Sequence, residues 1–300
     1  MAMSLTMQRC GTPKSIFEAC KEWQTAVGEE HVSLDERELL ATQTATFATN
    51  QRVWAIVRPG NREEVQQCVL IAGKYGTPIY VVSTGKNWGY GSRVPPSVDS
   101  VIISLERMNR IVDFNEKLAY ITVEPGVTFA QVHQFLKDER SNLTINSPGS
   151  TPHASLIGHA LERGIVGGLS GDRCREVCAF EVVLPNGEYL QTGMGRYSNA
   201  QTAALSSWGV GPSFDGLLSQ SNLGIVTRLT VWLTPLPSFF QYFSFQIKDP
   251  AKLSALVDKL QCLKTEGLIE TSCGLYNHYK VLTYCRQYPW LQSEGRTPLP

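Results

Sequence analysis

Three hundred residues with 42% hydrophobic, 18% charged and 9% aromatic side chains have the make-up of a soluble globular chain, which excludes a disordered tail, a collagen-like fibre and a coiled coil. Twenty-seven Lys plus Arg against twenty-seven Asp plus Glu leave a formal net charge of zero, with no Lys/Arg-rich run, so neither nucleic acid nor an anionic membrane is expected as a partner. Apolar runs such as Val101-Ile102-Ile103 are far too short to span a bilayer, and Met1-Ala2-Met3-Ser4-Leu5 lacks a basic stretch leading into an apolar core, so a cytoplasmic address is expected.

Residues 13–29 read as an amphipathic helix with Ile16, Phe17, Cys20, Trp23 and Val27 on one face. Val53–Val57 reads as a strand ended by Arg58-Pro59-Gly60. Asn61 is placed to cap the next helix, with Glu63 and Glu64 in its first turn where negative charge suits the dipole. That helix turns Val65, Cys68, Val69 and Ala72 inward and stops near Gly76, before a strand at Pro78–Val82. Strand, helix, strand makes a βαβ unit. Strands follow at 101–105, 110–114 and 119–124, then a Pro125-Gly126 turn and a helix from Thr128 to Lys137. Strand patterns recur at 178–184, 188–192 and 225–233, and after Thr234-Pro235-Leu236-Pro237 a new segment opens with a strand-like Phe239–Ile247 and a helix from Lys252 to Cys262. The texture is α+β without an internal repeat. It divides into an N-terminal helical segment (1–44), a domain over 45–237, and the beginning of a second domain over 238–300.

Eight cysteines, at 10, 20, 68, 174, 178, 262, 273 and 285, are spread along the chain. Only Cys174 and Cys178 are close, and no second pair or nearby His completes a zinc set, so buried free thiols and no metal are expected.

Three glycine-rich or small-residue stretches carry the functional signal. Ser83-Thr84-Gly85-Lys86-Asn87-Trp88-Gly89-Tyr90-Gly91-Ser92 follows a strand, and such bare main chain can turn its N–H groups onto a pyrophosphate. It matches neither a dinucleotide GxGxxG nor a Walker loop. On spacing alone it is equally a surface turn without function. The second stretch is Pro148-Gly149-Ser150 followed by Ala154–Gly164 and Ser170-Gly171-Asp172, where small residues at 154, 155, 158 and 160 admit a flat ligand. The third, Ser219–Thr227, leads into a strand. Three close-approach loops in one α+β domain suggest an extended nucleotide cofactor.

These stretches carry a resemblance. Gly85-Lys86-Asn87-Trp88-Gly89-Tyr90-Gly91 resembles the pyrophosphate loop of the vanillyl-alcohol oxidase and p-cresol methylhydroxylase flavoenzymes. Glu181–Gly187 with Thr192-Gly193-Met194-Gly195 is similar to a hairpin of that family, and Phe214-Asp215-Gly216-Leu217 with Ser219–Thr227 is similar to its last FAD-domain strand. The fold so implied is the two-subdomain FAD-binding domain of the p-cresol methylhydroxylase type, followed by a partial α+β cap domain. The activity implied is FAD-dependent oxidation of a para-substituted phenol or aromatic alcohol. The phenolate pushes charge towards its benzylic carbon, a hydride passes to flavin N5, and oxygen or an electron-carrier protein takes the electrons. By the same resemblance Ser83 to Asn87, Trp88, Gly89, Gly91, Ser92, Pro148, Gly149, Ser150, Ser155, Gly158, Gly171, Gly224 and Ile225 line the FAD, Tyr90 stands beside the substrate phenol oxygen, and Asp172 stands near flavin N5.

The chain departs from the family pattern in three places. Family members carry tyrosines just before the aspartate where this chain has Gly167, Gly168 and Ser170, which implies a smaller pocket wall and a bulkier substrate. Lys86-Asn87-Trp88 contains no group suited to a covalent flavin bond, and His278 comes too early to match the family's attachment residue, so a dissociable FAD is expected. The family's closing Tyr-Arg pair, which stabilises the phenolate, has no counterpart here, so the chain is expected to be C-terminally shortened. It is then a truncated product, one half of an enzyme completed by a second chain, or a flavin binder without the family's chemistry. A homo-oligomer is a further option. A sugar- or amine-oxidising flavoenzyme fits the first loop but fits 181–227 poorly.

Overall fold

The computed structural model describes residues 13–45, 49–87, 93–166, 171–239, 241, 243–269 and 273–285. In chain order the elements begin with α1 (Pro13–Val27), β1 (Val32–Ser33), α2 (Glu36–Gln43), β2 (Val53–Val57), α3 (Arg62–Tyr75), β3 (Ile79–Val82) and β4 (Ser100–Ser104). Next come β5 (Ile111–Asn115), β6 (Tyr120–Val123), α4 (Phe129–Asp138), β7 (Leu143–Thr144), α5 (Leu156–Leu161), β8 (Val177–Val183) and β9 (Tyr189–Gln191). The last are β10 (Ile225–Trp232), β11 (Thr234–Pro235), α6 (Leu253–Thr265) and α7 (His278–Cys285). Among the described residues no helix is long and apolar enough to cross a membrane.

The first sheet runs β1-β2-β4-β3, with β2, β4 and β3 parallel and β1 antiparallel at the edge. The central β4, Ser-Val-Ile-Ile-Ser, is buried along its whole length, as a parallel strand covered on both faces must be. On one face, α1 and α3 pack over Ala55, Val57, Val101 and Ile103; on the other, Leu39 of α2 packs over Val53, Ile56 and Ile102. Asn61 caps α3 by accepting from the Glu64 N–H at 2.8 Å, and Gly76 ends it in the left-handed conformation at φ 61°. The strand-helix-strand unit of 53–82 is present, but its two strands flank β4 instead of pairing with each other.

The helix assigned by sequence to a separate N-terminal segment shares this core. Trp23 is fully buried and donates its indole N–H to the Cys68 carbonyl of α3 at 3.2 Å. Ile16, Cys20 and Val27 are buried with it, but Phe17, read as part of the same face, is 53% exposed. It lies one residue past the stripe and meets Trp54 edge to face at 5.9 Å.

The second sheet is antiparallel in the order β5-β6-β10-β8-β9, with α4 and α5 packed on it. Thr128 and Gln131 form a capping box at the start of α4. The short β7 and β11 pair beside the sheet. The two sheets are joined at the turns that follow β4 and β6. Gly126 donates to the Met108 carbonyl at 2.6 Å, and a Cβ there would stand 2.5 Å from the Glu106 carbonyl oxygen, so only glycine fits. Beside it the buried Glu124 accepts from the Arg110 backbone N–H at 2.9 Å and from its guanidinium at 2.7 Å. Farther along, Gln66 of α3 donates to the Gly187 carbonyl at 2.7 Å.

Beyond Pro237 the described residues differ from the sequence reading. Those within 239–247 form no strand, and Phe239, Phe243 and Phe245 are exposed, because no described strand edge lies against them to supply ladder partners. The helix read at 252–262 is present as α6, with its apolar residues Leu253, Val257 and Leu263 exposed. Cys20, Cys68 and Cys178 are buried free thiols, whereas Cys262 and Cys273 are exposed, since they sit in this uncovered segment.

Two measurements probe this architecture. Trp23→Ala removes the largest buried side chain of the first core and should lower unfolding stability by about 3–5 kcal/mol, read from denaturant titration. His159 of α5 packs edge-on against Phe129 at 5.7 Å, and burial, aided by the Arg173 charge, pushes its imidazole down to about 4. The unfolded chain takes up that proton near pH 6.5, so the native state is favoured fully above 6.5 and loses on the order of 3 kcal/mol as pH falls through about 4. Denaturant midpoints measured from pH 8 to pH 4 should fall across this window, and His159→Gln should remove that part of the fall.

Candidate functional site

The short helix α5 is the hub around which the small-residue loops gather. Its cap, Ser155, accepts from the Gly158 N–H at 3.0 Å and donates to the Pro125 carbonyl at 2.6 Å, which seats the helix start on the inter-sheet turn. One turn on, Gly158 faces the beginning of the loop after β3: a Cβ there would stand 3.2 Å from the Ser83 hydroxyl. At the other end of the helix the Leu161 carbonyl accepts from the Gln220 N–H at 2.8 Å and the Ser219 hydroxyl at 3.2 Å, and the Ala160 carbonyl accepts from Cys174 Sγ at 2.7 Å. Ser83 at the start of the glycine loop, Cys174 just after Gly171-Asp172, and residues 219–220 thereby meet at one helix.

The glycines at this hub fit a cofactor cradle. Gly85 and Gly171 both occupy the left-handed region, at φ 65° and 62°. At Gly149 and Gly171 no heavy atom of the described residues beyond the chain neighbours lies within 4 Å of where a Cβ would be, so their main chain borders space open among those residues. Ser83, Thr84, Gly85, Asn87, Pro148 and Ser150 are half-buried, while Lys86 and Gly149 are exposed. Open main chain of this kind, with N–H donors and no side chain in the way, suits a pyrophosphate and a flat ring system.

Other sequence-predicted liners have structural duties. The Ser155 hydroxyl is fully used by its cap and by Pro125. Ala154 and Ala160 face the second core, so only part of the small-residue stripe borders the cradle. Gly224 lies under Val182 and the Val183 carbonyl, where a Cβ would stand at 2.5 and 3.1 Å. Ile225 pairs with Val183 and buries its side chain in the first core, leaving only main chain to offer a ligand. Trp88, Gly89, Tyr90, Gly91 and Ser92, and Gly167, Gly168 and Ser170, lie outside the described residues.

Asp172 opens the 3₁₀ turn Arg173–Glu176, accepting from the Cys174 N–H at 3.0 Å while its second oxygen lies 3.6 Å from Arg163. Its side chain is 23% exposed, and it stands next to the open Gly171. Arg163 is itself held in the left-handed region at φ 52°. The sequence reading missed three neighbours: Arg163, the wholly buried Arg173, and Asn146, whose side chain donates to Glu176 at 3.0 Å. The sequence signal was the nearness of Arg163 and Arg173 to Asp172, whereas Asn146 lies far away in the chain and Arg173-Cys174-Arg175-Glu176 reads like an ordinary solvated turn. Among the described residues no group of three His, Cys, Asp or Glu side chains could hold a metal ion.

Comparisons with known proteins identify the cofactor. A family model described as an FAD binding domain matches residues 54–193. The chain is 49% identical over 282 residues to a 1'-carboxy-chondrochloren decarboxylase of Chondromyces crocatus, covering 94% of this chain and 52% of that protein. It is 31% identical over 261 residues to the 4-cresol dehydrogenase [hydroxylating] flavoprotein subunit of Pseudomonas putida, covering 85% of this chain and 49% of the subunit. A crystal structure of p-cresol methylhydroxylase with substrate bound superposes with a TM-score of 0.82 at 30% identity, over 87% of this chain and 52% of that one. The chain thus spans about half the length of these relatives. With its two sheets, its glycine cradle and these likenesses, the chain belongs to the p-cresol methylhydroxylase type of FAD-binding proteins, and FAD is its cofactor.

Proposed function

We propose that the chain is the FAD-binding part of an oxidoreductase that removes a hydride from the benzylic carbon of a para-substituted phenol or aromatic alcohol. When bound, FAD supplies the two-electron acceptor for such a reaction. The main chain of Ser83 to Asn87, continued by Trp88, Gly89, Gly91 and Ser92, is assigned to the pyrophosphate. Pro148, Gly149, Ser150, Gly158 and Gly171 are assigned to the flat face of the cofactor, with Gly224 and Ile225 contributing main chain. Ser155 acts one step back, by fixing Gly158. With no suitable ligand among Lys86, Asn87 and Trp88, the FAD is proposed to be dissociable. Residues 45–237 are taken as the FAD-binding domain, 1–44 as its helical lead-in, and 238–300 as the beginning of a substrate domain.

Asp172 is the observation that carries this reading: a partly buried carboxylate, fixed by Cys174 on one side and Arg163 on the other, next to open glycine main chain. A carboxylate so held can orient a water or a substrate hydroxyl and accept its proton. Tyr90 is assigned to the phenol oxygen. Oxygen or an electron-carrier protein is proposed to take the electrons. One relative is named as a flavoprotein subunit, which supports a partner chain for this protein too.

A second reading is favoured by the 49% identity to a protein named as a decarboxylase. In that reading the substrate carries a carboxyl group that departs as carbon dioxide. Arg163, with 60% of its side chain exposed beside Asp172, is the cation available to hold that carboxylate.

The readings separate in one anaerobic experiment with FAD-loaded protein. Bleaching of the flavin absorbance by a 4-alkylphenol supports the first, and bleaching accompanied by carbon dioxide release from a carboxylated aromatic supports the second. Protein that takes up FAD but bleaches with neither is a non-catalytic binder or needs its partner chain. Acid precipitation should leave the flavin in the supernatant, and colour in the pellet would overturn the dissociable cofactor. Asp172→Asn should slow bleaching by about a hundredfold while FAD content stays unchanged.

A further inference from the structure

Arg173 is an arginine without solvent. No part of the residue is exposed, although it belongs to a turn that begins at the edge of the cradle. Its Nη1 donates to Glu176 Oε2 at 2.6 Å, and its Nη2 donates to the Asn146 backbone carbonyl. Its own backbone N–H donates to the Gly164 carbonyl at 3.1 Å. Asn146 returns the contact by donating its side-chain amide to the other Glu176 oxygen, Oε1, at 3.0 Å. The guanidinium carbon lies 5.7 Å from the centre of the Phe129 ring, and the neutral His159 packs on the same ring.

Burying a guanidinium is unfavourable unless its partners are well aligned, and an apolar side chain of similar size would fill the space without that cost. What the apolar side chain could not do is tie the loop before Pro148 to the 173–176 turn. The Arg173 guanidinium joins the Asn146 carbonyl, two residues before Pro148, to Glu176 on the turn that follows Gly171 and Asp172, while the Gly164 contact is a main-chain one that any residue at 173 makes. Pro148, Gly149, Ser150 and Gly171 are assigned above to the flat face of the cofactor.

We propose that Arg173 is a positioning residue of the FAD site: with Glu176 as its counter-charge, it clamps the 146–150 loop to the 171–172 turn and so holds the flavin-facing main chain in register. The proposal rests on the reading that these two segments face FAD. Arg173 itself touches neither cofactor nor substrate in this scheme. It acts through Pro148, Gly149, Gly171 and Asp172.

Apoprotein titrated with FAD, followed by quenching of flavin fluorescence and by the visible circular dichroism of the bound flavin, tests the clamp. Arg173→Met should weaken FAD binding by about tenfold or more and alter the flavin dichroism. Arg173→Lys, which keeps the charge but cannot make the forked contact, should fall between wild type and Arg173→Met. The double variant Arg173→Met/Glu176→Leu also removes the carboxylate that loses its counter-charge and should recover most of the apoprotein's thermal midpoint while FAD binding stays weak. If Arg173→Met does not fold, the double variant and Arg173→Lys decide. FAD affinity and dichroism within about twofold of wild type in the variants that fold would overturn the clamp and leave Arg173 a packing residue. Wild-type protein that takes up no FAD would instead overturn the assignment of the cradle.

Discussion

The structure depends on how closely two backbones approach at the junction of its sheets. Gly126 sits under the Glu106 and Met108 carbonyls with no room for a side chain, and its N–H closes on Met108 at 2.6 Å. From that contact a short relay leads to the cofactor cradle. The Pro125 carbonyl next to it receives the Ser155 hydroxyl, the same hydroxyl caps α5 at Gly158, and Gly158 faces Ser83 where the glycine loop begins. The first sheet supplies Ser83, the second supplies α5, and the junction sets their distance. A substituent on Gly126 would push the two sheets apart and with them the two sides of the cradle.

What the sequence revealed of this fold follows from the range over which each signal acts. The Asn61 cap, the Gly76 stop and the inward stripe of α3 are set within one or two turns of chain, and all are present. The apolar strands β2 and β4 announce their burial by composition. The insertion of β4 between β2 and β3 is a long-range pairing that no local pattern encodes. Phe17 fails for the same reason, since helical spacing gives a stripe but not its width. The strand read at 239–247 had the right residues, but a strand also needs a neighbour to pair with.

The candidate site divides along similar lines. Glycines were legible because a backbone that must turn left-handed or leave space open has few other choices, and Gly85, Gly149 and Gly171 all lie where such a demand exists. Ser155 and Ile225 were read as liners because small or apolar residues near a glycine stretch serve packing and ligand equally. The structure gives the Ser155 hydroxyl to a cap and the Ile225 side chain to a core. Arg173 was invisible in the opposite sense. Two arginines and a glutamate in four residues look like a wet turn, and only the tertiary fold reveals that one guanidinium is sealed inside.

In the proposed site the groups assigned to the cofactor and those assigned to the reaction are of different kinds. The cradle is main chain, set by glycine positions and by the junction of the sheets. Asp172 and Arg163 are side chains at its rim, and their chemistry depends on what is placed against them. Two relatives that match most of this chain carry names of different activities, a decarboxylase at 49% identity and a cresol dehydrogenase subunit at 31%. A shared half-length sequence with divergent reactions means that these residues specify FAD more tightly than they specify the bond that breaks. Under the proposed function, selectivity is assigned to the few side chains at the rim and to what covers them. The distance from Arg163 to Asp172, 3.6 Å and looser than a full ion pair, leaves the arginine able to turn to a substrate anion instead.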